Sequence, residues 1–188
     1  MAQEKKQVRQ GIRDAIEIPQ GVSVSVANGV ITVTGKSAAA ESRALRTATV
    51  QAAIEGSSLV FTAPRDTKRE RKLIGSLKAH IRNIFRGVTQ GHVYKLKICS
   101  GHFPMSVAVN KNEFSVKNFL GEKIPRTLVL SGNVKVKVEG DHIIVESSSK
   151  ESAGQTAAAI EAITRRAAYD KRIFQDGIYI IDKDGKGI

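Results

Sequence analysis

The sequence predicts an α+β protein made of two tandem copies of one domain, each an antiparallel or mixed sheet with one helix packed on one face. Three observations predict it. Sliding the 188-residue chain over itself by 83 positions aligns many conservative pairs without a gap. Short alternating apolar runs flank turn signals in both halves. Each half then continues into a helix that opens at a capping signal. Strands in runs followed by a covering helix are the pattern of an α+β architecture.

The repeat carries the most weight. Ser23 falls on Ser106, Val24 on Val107, Val26 on Val109, Val33 on Val116, Arg43 on Arg126, Leu45 on Leu128, Val60 on Ile143, Phe61 on Ile144, Ile74 on Ala157 and Leu77 on Ile160. A period this long is no solenoid unit, so it reads as a duplicated domain. The organisation expected is a basic N-terminal tail (1–10), a first repeat domain (11–87), a second repeat domain with a final strand (92–181) and a polar C-terminal tail (182–188).

In the first domain, Val22-Ser-Val-Ser-Val26 and Val30-Ile-Thr-Val-Thr34 alternate around Asn28-Gly29. Asn-Gly between two such runs signals a hairpin, because both turn positions need positive φ. Thr67-x-x-Glu70 opens a helix expected to run to about Arg86 and stop at Gly87, with Leu73, Leu77, Ile81 and Ile84 as its apolar stripe. In the second domain, Val134-Lys-Val-Lys-Val138 and His142-Ile-Ile-Val-Glu146 flank Gly140-Asp141, placing Lys135 and Lys137 toward water. Ser148-x-x-Glu151 opens the second helix, expected to reach about Arg166, with Ala153, Ala157, Ile160 and Ile163 inward. Small residues there imply close approach of helix to sheet. Gly177-Ile-Tyr-Ile-Ile181 reads as the last strand.

Composition narrows the function. Thirty Lys and Arg against 18 Asp and Glu give a formal charge of +12, with pI near 10.0. Solubility needs a magnitude of only about 2–8 in a small domain. The excess points to a polyanion, since each phosphate neutralised releases condensed counterions. One cysteine, Cys99, builds neither a disulfide framework nor a thiolate metal site, which fits a reducing compartment. No apolar run reaches the roughly 20 residues of a membrane span, and the N-terminus lacks a signal-peptide core. The expectation is a soluble cytoplasmic protein with no membrane partner.

Catalytic motifs are weak. Gly35-Lys36-Ser37 resembles the end of a phosphate-binding loop, but Val30 stands where the first glycine is required and a hairpin strand precedes it. His80, His92, His102 and His142 are scattered, which argues against zinc. Asp182 and Asp184 are expected to be solvated tail charges. The reading is no enzyme, no cofactor, no metal and no small-molecule substrate.

Two basic clusters remain. Arg65 to Arg86 holds eight Lys and Arg against two acids, although a charged helix face is more often a solvated surface. Lys150, Arg165, Arg166, Lys171, Arg172, Lys183 and Lys186 gather along the end of the second domain. There a helix N-terminus offers free N–H groups and a positive dipole end, and a bound phosphate would relieve the repulsion between Lys150 and that dipole. The scarcity of exposed aromatics favours recognition of folded RNA by shape and backbone over single-strand reading.

Lys150-Glu-Ser-Ala-Gly-Gln155-Thr-Ala-Ala158 and Asp170-Lys-Arg-Ile-Phe-Gln-Asp-Gly-Ile-Tyr-Ile180 resemble signatures of the large-subunit ribosomal protein six family, the second being that of its archaeal and eukaryotic branch. Asn83-x-x-Arg86-Gly-Val-Thr-Gln-Gly91 resembles the family's interdomain link, and Gly101-His-Phe-Pro104 and Asn118-Phe-Leu-Gly-Glu-Lys123 are similar to that branch. The resemblance covers nearly the whole chain. It implies a structural constituent of the large subunit, docked mainly by its second domain on large-subunit rRNA near the base of the sarcin–ricin stem and the factor-binding region. Neighbouring ribosomal proteins would be partners, with translation factors nearby. It adds Gln155 to the candidate rRNA-binding residues. Glu161 and Thr164 stand where the bacterial branch has arginines, Tyr169-Asp-Lys-Arg172 replaces its Pro-rich basic loop, and Ala153 stands where Val is usual. The competing readings are a non-ribosomal basic RNA-binding module and an enzyme using a cleft between the domains.

Overall fold

The computed structural model describes residues 11–35, 40–45, 49–167, 169–170 and 172–188. The expected N-terminal tail, Lys36, Ser37 and the candidate Lys171 lie outside them. The chain divides into two units, one ending at Thr89 and the other running from Gln90 to Ile188.

The first unit contains β1 (Ile12–Glu17), β2 (Val22–Ala27), β3 (Val30–Gly35), β4 (Glu41–Ala44), β5 (Gln51–Glu55), β6 (Ser58–Ala63) and α1 (Lys68–Thr89). Its strands form two antiparallel sheets, ordered β2-β3-β4 and β1-β6-β5. Asn28 (φ 50°) and Gly29 (φ 72°) make the turn of the β2–β3 hairpin, as the Asn-Gly signal requires. Ile31, Val33, Leu59 and Phe61 meet Ile74, Ile81, Phe85 and Val88 of α1 in one core.

The second unit contains β7 (His92–Cys99), β8 (Ser106–Asn110), β9 (Glu113–Lys117), a 3₁₀ turn (Phe119–Gly121), β10 (Arg126–Val129), β11 (Val134–Glu139), β12 (His142–Ser147), α2 (Lys150–Ile163), β13 (Gly177–Lys183) and β14 (Lys186–Gly187). Again there are two sheets, β10-β9-β8 and β11-β12-β7-β13-β14. The duplication is plain in the pairing: β8 to β12 repeat β2 to β6, and β7 pairs with β12 as β1 pairs with β6. One register departs from the 83-residue offset. Ile31 faces Arg43, whereas its repeat mate Phe114 faces Leu128, not Arg126. The connection through the 3₁₀ turn, with Leu120 (φ 47°) and Gly121 (φ 78°), displaces β10 by two residues. An even slip keeps every side chain on its own face.

Both helices deviate from their expected ends. Thr67 caps α1 by accepting the Glu70 N–H at 3.4 Å. Gly87 does not stop the helix, which runs on to Thr89. A glycine inside a helix costs about 1 kcal/mol. Burial of Phe85 and Val88 outweighs that, since each buried large apolar side chain is worth about 1.5–3 kcal/mol. Thr89 Oγ1 then donates to the carbonyls of Phe85 and Arg86, and Gly91 (φ 78°) turns the chain away. The buried stripe of α1 is Ile74, Ile81, Phe85 and Val88, with Leu73, Leu77 and Ile84 only half-buried at its edge. Gly35 now has a packing role: a Cβ there would collide with Val88 Cγ1.

The second helix is capped by Ser149, not Ser148; the Ser149 side chain accepts the Ser152 N–H at 3.4 Å. It ends at Ile163, three residues short of Arg166. The Thr164 hydroxyl donates to the Glu161 carbonyl at 3.1 Å and accepts the Ile178 N–H at 3.0 Å. The chain is thereby turned toward β13. Ala153, Ala157 and Ile160 are fully buried. Gly154 faces the Tyr94 hydroxyl, which a Cβ would meet at 3.3 Å, so the helix sits close on its sheet. Residues 182–188 are no tail: they finish β13 and return as β14.

Candidate nucleic-acid interface

The sequence gathered one basic cluster; the structure splits it between the two ends of α2, about 20 Å apart at a rise of roughly 1.5 Å per residue. Lys150, Lys183 and Lys186 belong to the N-terminal end, and Arg165, Arg166 and Arg172 to the C-terminal end. Gln155 lies exposed on the helix between them. Beside it, Ala158 and Ala162 are small and exposed, and Glu151, one turn earlier, is the exposed acid of that side.

At the N-terminal end, β13 and β14 hold Lys183 and Lys186 as direct cross-strand partners, both exposed. Like charges placed opposite each other destabilise a ladder, so this pair is set to gain from an anion. Lys150 is the first residue of α2, where a cation opposes the helix dipole. That repulsion is already offset within the chain, because Lys150 Nζ lies 3.7 Å from Asp184 Oδ2. The expectation that Asp184 is a solvated tail charge is therefore wrong. Its side chain is 5% exposed and accepts from Nδ1 of the fully buried His92 at 3.0 Å. The hairpin return at Asp184 (φ 59°) folds this carboxylate inward. The neighbouring Tyr94 hydroxyl is raised above its ordinary pKa by burial and by the Asp184 charge.

At the C-terminal end, Arg126 of β10 organises the helix exit. Its guanidinium donates to the carbonyls of Ile163 (2.6 Å) and Arg165 (3.3 Å), two groups left without partners by the end of the helix. It also makes a two-pronged pair with Glu122, at 2.8 and 2.7 Å, and lies 4.5 Å from the Phe119 ring centroid. The bond from Arg126 holds the Glu122 carboxyl below its usual range. Arg166 reaches Glu122 at 3.7 Å and covers the Tyr169 ring at 4.5 Å. Arg172 is almost wholly exposed and 3.6 Å from Asp170. Glu161 and Thr164 serve the fold: Glu161 accepts the Ile180 N–H at 3.3 Å and Thr164 that of Ile178.

One further residue shapes this end, and the sequence showed it only as a member of the Asp170–Ile180 motif. Asp176 is fully buried and accepts the backbone N–H groups of Gly101 and His102, tying the Gly101–Pro104 motif to the Asp170–Ile180 motif. Burial alone would raise its pKa; these N–H bonds, with the His102 ring and the Phe103 N–H, outweigh burial and hold the carboxyl below its ordinary value. Over it, His102 packs on Phe174 (5.2 Å between ring centroids) and Tyr169 meets Phe174 edge to face at 5.1 Å.

The first unit contributes a different surface. Arg71 is paired with Asp66, Lys78 with Asp14, and Glu70 is buried. Lys68, Arg69, Lys72, Arg82 and Arg86 are exposed along the outer side of α1.

Among the described residues, no group of three or more His, Cys, Asp or Glu is placed to hold a metal ion, and no helix is long and apolar enough to cross a membrane. Paired α+β units, a helix with basic groups at both ends and loops stiffened by buried carboxylates define a basic scaffold protein of the kind that binds structured RNA. The sequence profile described as Ribosomal protein L6 matches residues 18–91 and again 103–177, one match in each unit. The chain is 41% identical over 177 residues to the large ribosomal subunit protein uL6 of Methanobrevibacter smithii, covering 94% of this chain and 99% of that protein. It is 43% identical over 175 residues to the protein of the same name from Methanococcus vannielii (93% and 96% covered) and 40% over 172 residues to that from Methanosarcina mazei (92% and 97%). The chain belongs to the ribosomal protein L6 family, which is not a family of enzymes.

Proposed function

We propose that the chain is a structural constituent of the large ribosomal subunit, docked on large-subunit rRNA near the base of the sarcin–ricin stem and the factor-binding region. It supports subunit assembly and translation in the cytoplasm. One observation carries this reading: relatives named for the large subunit match over nine-tenths of the chain, both units included. The second unit (residues 92–181 and the hairpin that follows) is the anchor. Lys150, Lys183 and Lys186 take phosphates at one end of α2, and Arg165, Arg166 and Arg172 at the other; Lys171, outside the described residues, is a further proposed phosphate contact. Gln155 touches the backbone between them, where the small neighbours Ala158 and Ala162 let RNA come close. The opposed Lys183–Lys186 pair supports this assignment, because each bound phosphate would turn a repulsion into two attractions. Neighbouring large-subunit proteins are its other partners, and translation factors pass close by.

Sedimentation in high salt tests the reading. The chain stays with purified large subunits if it is an integral constituent. If it washes off and binds many nucleic acids alike with steep salt dependence, it is a free RNA-binding module.

A further inference from the structure

The aromatic residues of this chain are few and unevenly placed. Three of six Phe (Phe103, Phe119, Phe174) and two of three Tyr (Tyr169, Tyr179) gather around the loop that follows α2. All of these but Phe103 border a half-open cavity of about 130 Å³, whose walls also include Glu161, Arg165 and Arg166. A small aromatic cluster also serves as a core beneath a loop. Three features go beyond that role. The cavity is sized for a single ring, since a cavity of about 150 Å³ accommodates benzene. Tyr169 stays 40% exposed with the Arg166 guanidinium 4.5 Å over its ring, so an aromatic edge and a cation flank the space beside the Phe174 ring. Glu161 spends one carboxylate oxygen on the Ile180 N–H and makes no other side-chain hydrogen bond among the described residues, leaving an acceptor on the cavity wall.

We infer that this cavity receives one unpaired nucleobase of the rRNA, stacked on Phe174 with the Tyr169 ring at its edge, and with Arg165 and Arg166 on the flanking phosphates. A ring-sized space with a carboxylate acceptor selects a pyrimidine bearing an exocyclic amine, which is cytosine. The inference rests on the rRNA-binding reading above and adds a base-reading pocket to a surface otherwise fitted to backbone contacts.

The test measures affinity of the full chain for full-length large-subunit rRNA across a salt series. Phe174→Leu weakens binding about tenfold, as loss of one stacked base does, and leaves the salt slope unchanged because no phosphate contact is lost. Glu161→Gln, which keeps shape and the bond to Ile180, weakens binding several-fold with the same slope and secures the test should Phe174→Leu fold poorly. Arg165→Ala lowers the slope by about one. If Glu161→Gln and a folded Phe174→Leu both bind as the parent does, the pocket holds no base. A density map of the large subunit with a neighbouring protein's side chain in the cavity overturns the inference too. If the parent chain itself shows no affinity for the rRNA at any salt, the rRNA-binding reading fails, and the pocket inference fails with it.

Discussion

The two units descend from one pattern, yet they use their helices in different ways. In the first, α1 is long, its outer side is basic and its Val88 reaches into a core shaped around Gly35. In the second, α2 is shorter and its outer side nearly uncharged, with the cations moved to its two ends. The second unit also adds β13 and β14, and three buried or half-buried acids, Asp176 before β13, Asp184 in its return and Glu161 on α2, hold these additions in place. The same chain of strands can thus carry charge along a helix or hold it at the helix ends.

The largest break in that comparison should come from Asp176→Ala. It removes the charged acceptor of the Gly101 and His102 N–H groups, at about 1.5–3 kcal/mol per bond, and urea unfolding should show the second unit destabilised by roughly 3 kcal/mol. Amide exchange in the first unit should not change. The corresponding break in the first unit is Gly35→Ala. Overpacking against Val88 should cost about 1–3 kcal/mol. Combining it with Val88→Ala should recover part of that loss, because the two changes act on one contact. Additive losses would show that Val88 is not what the added methyl meets.

Arg126→Met is expected to be milder, about 1–2 kcal/mol, by stripping partners from the Ile163 and Arg165 carbonyls. Exchange at the last turn of α2 is the readout. Acid supplies the smallest effect. Asp176 has a folded pKa below its unfolded one, so its contribution is complete above the ordinary carboxylate range and fades as pH falls through the folded value. The parent should lose stability there faster than Asp176→Ala, and parallel curves would remove Asp176 from the account.

Much of the fold was legible because it is local. The β2–β3 turn is written in Asn28-Gly29 and the strands in their alternation. The repeat survives as paired valines such as Val24 and Val107. The helix ends were missed by two or three residues because tertiary contacts decide them. Val88 pulls α1 past Gly87, and Thr164 breaks α2 to hold Ile178. The site was legible as composition but not as arrangement. Lysines and arginines announce themselves, whereas nothing near Asp184 reveals His92, which lies 92 residues away in sequence. Asp176 looked like part of a motif and proved to be the tie between two of them. The division of strands into two sheets per unit was hidden as well, since alternation reports a buried face without naming the sheet that owns it.

The most direct test of the second unit as anchor is RNA crosslinking with mass spectrometry on purified large subunits. The account predicts crosslinks at Lys150, Gln155, Arg165, Arg166 and the Lys171–Lys186 segment. Crosslinks confined to the Arg65–Arg86 helix, with none beyond Thr89, would contradict it and move the anchor to the first unit.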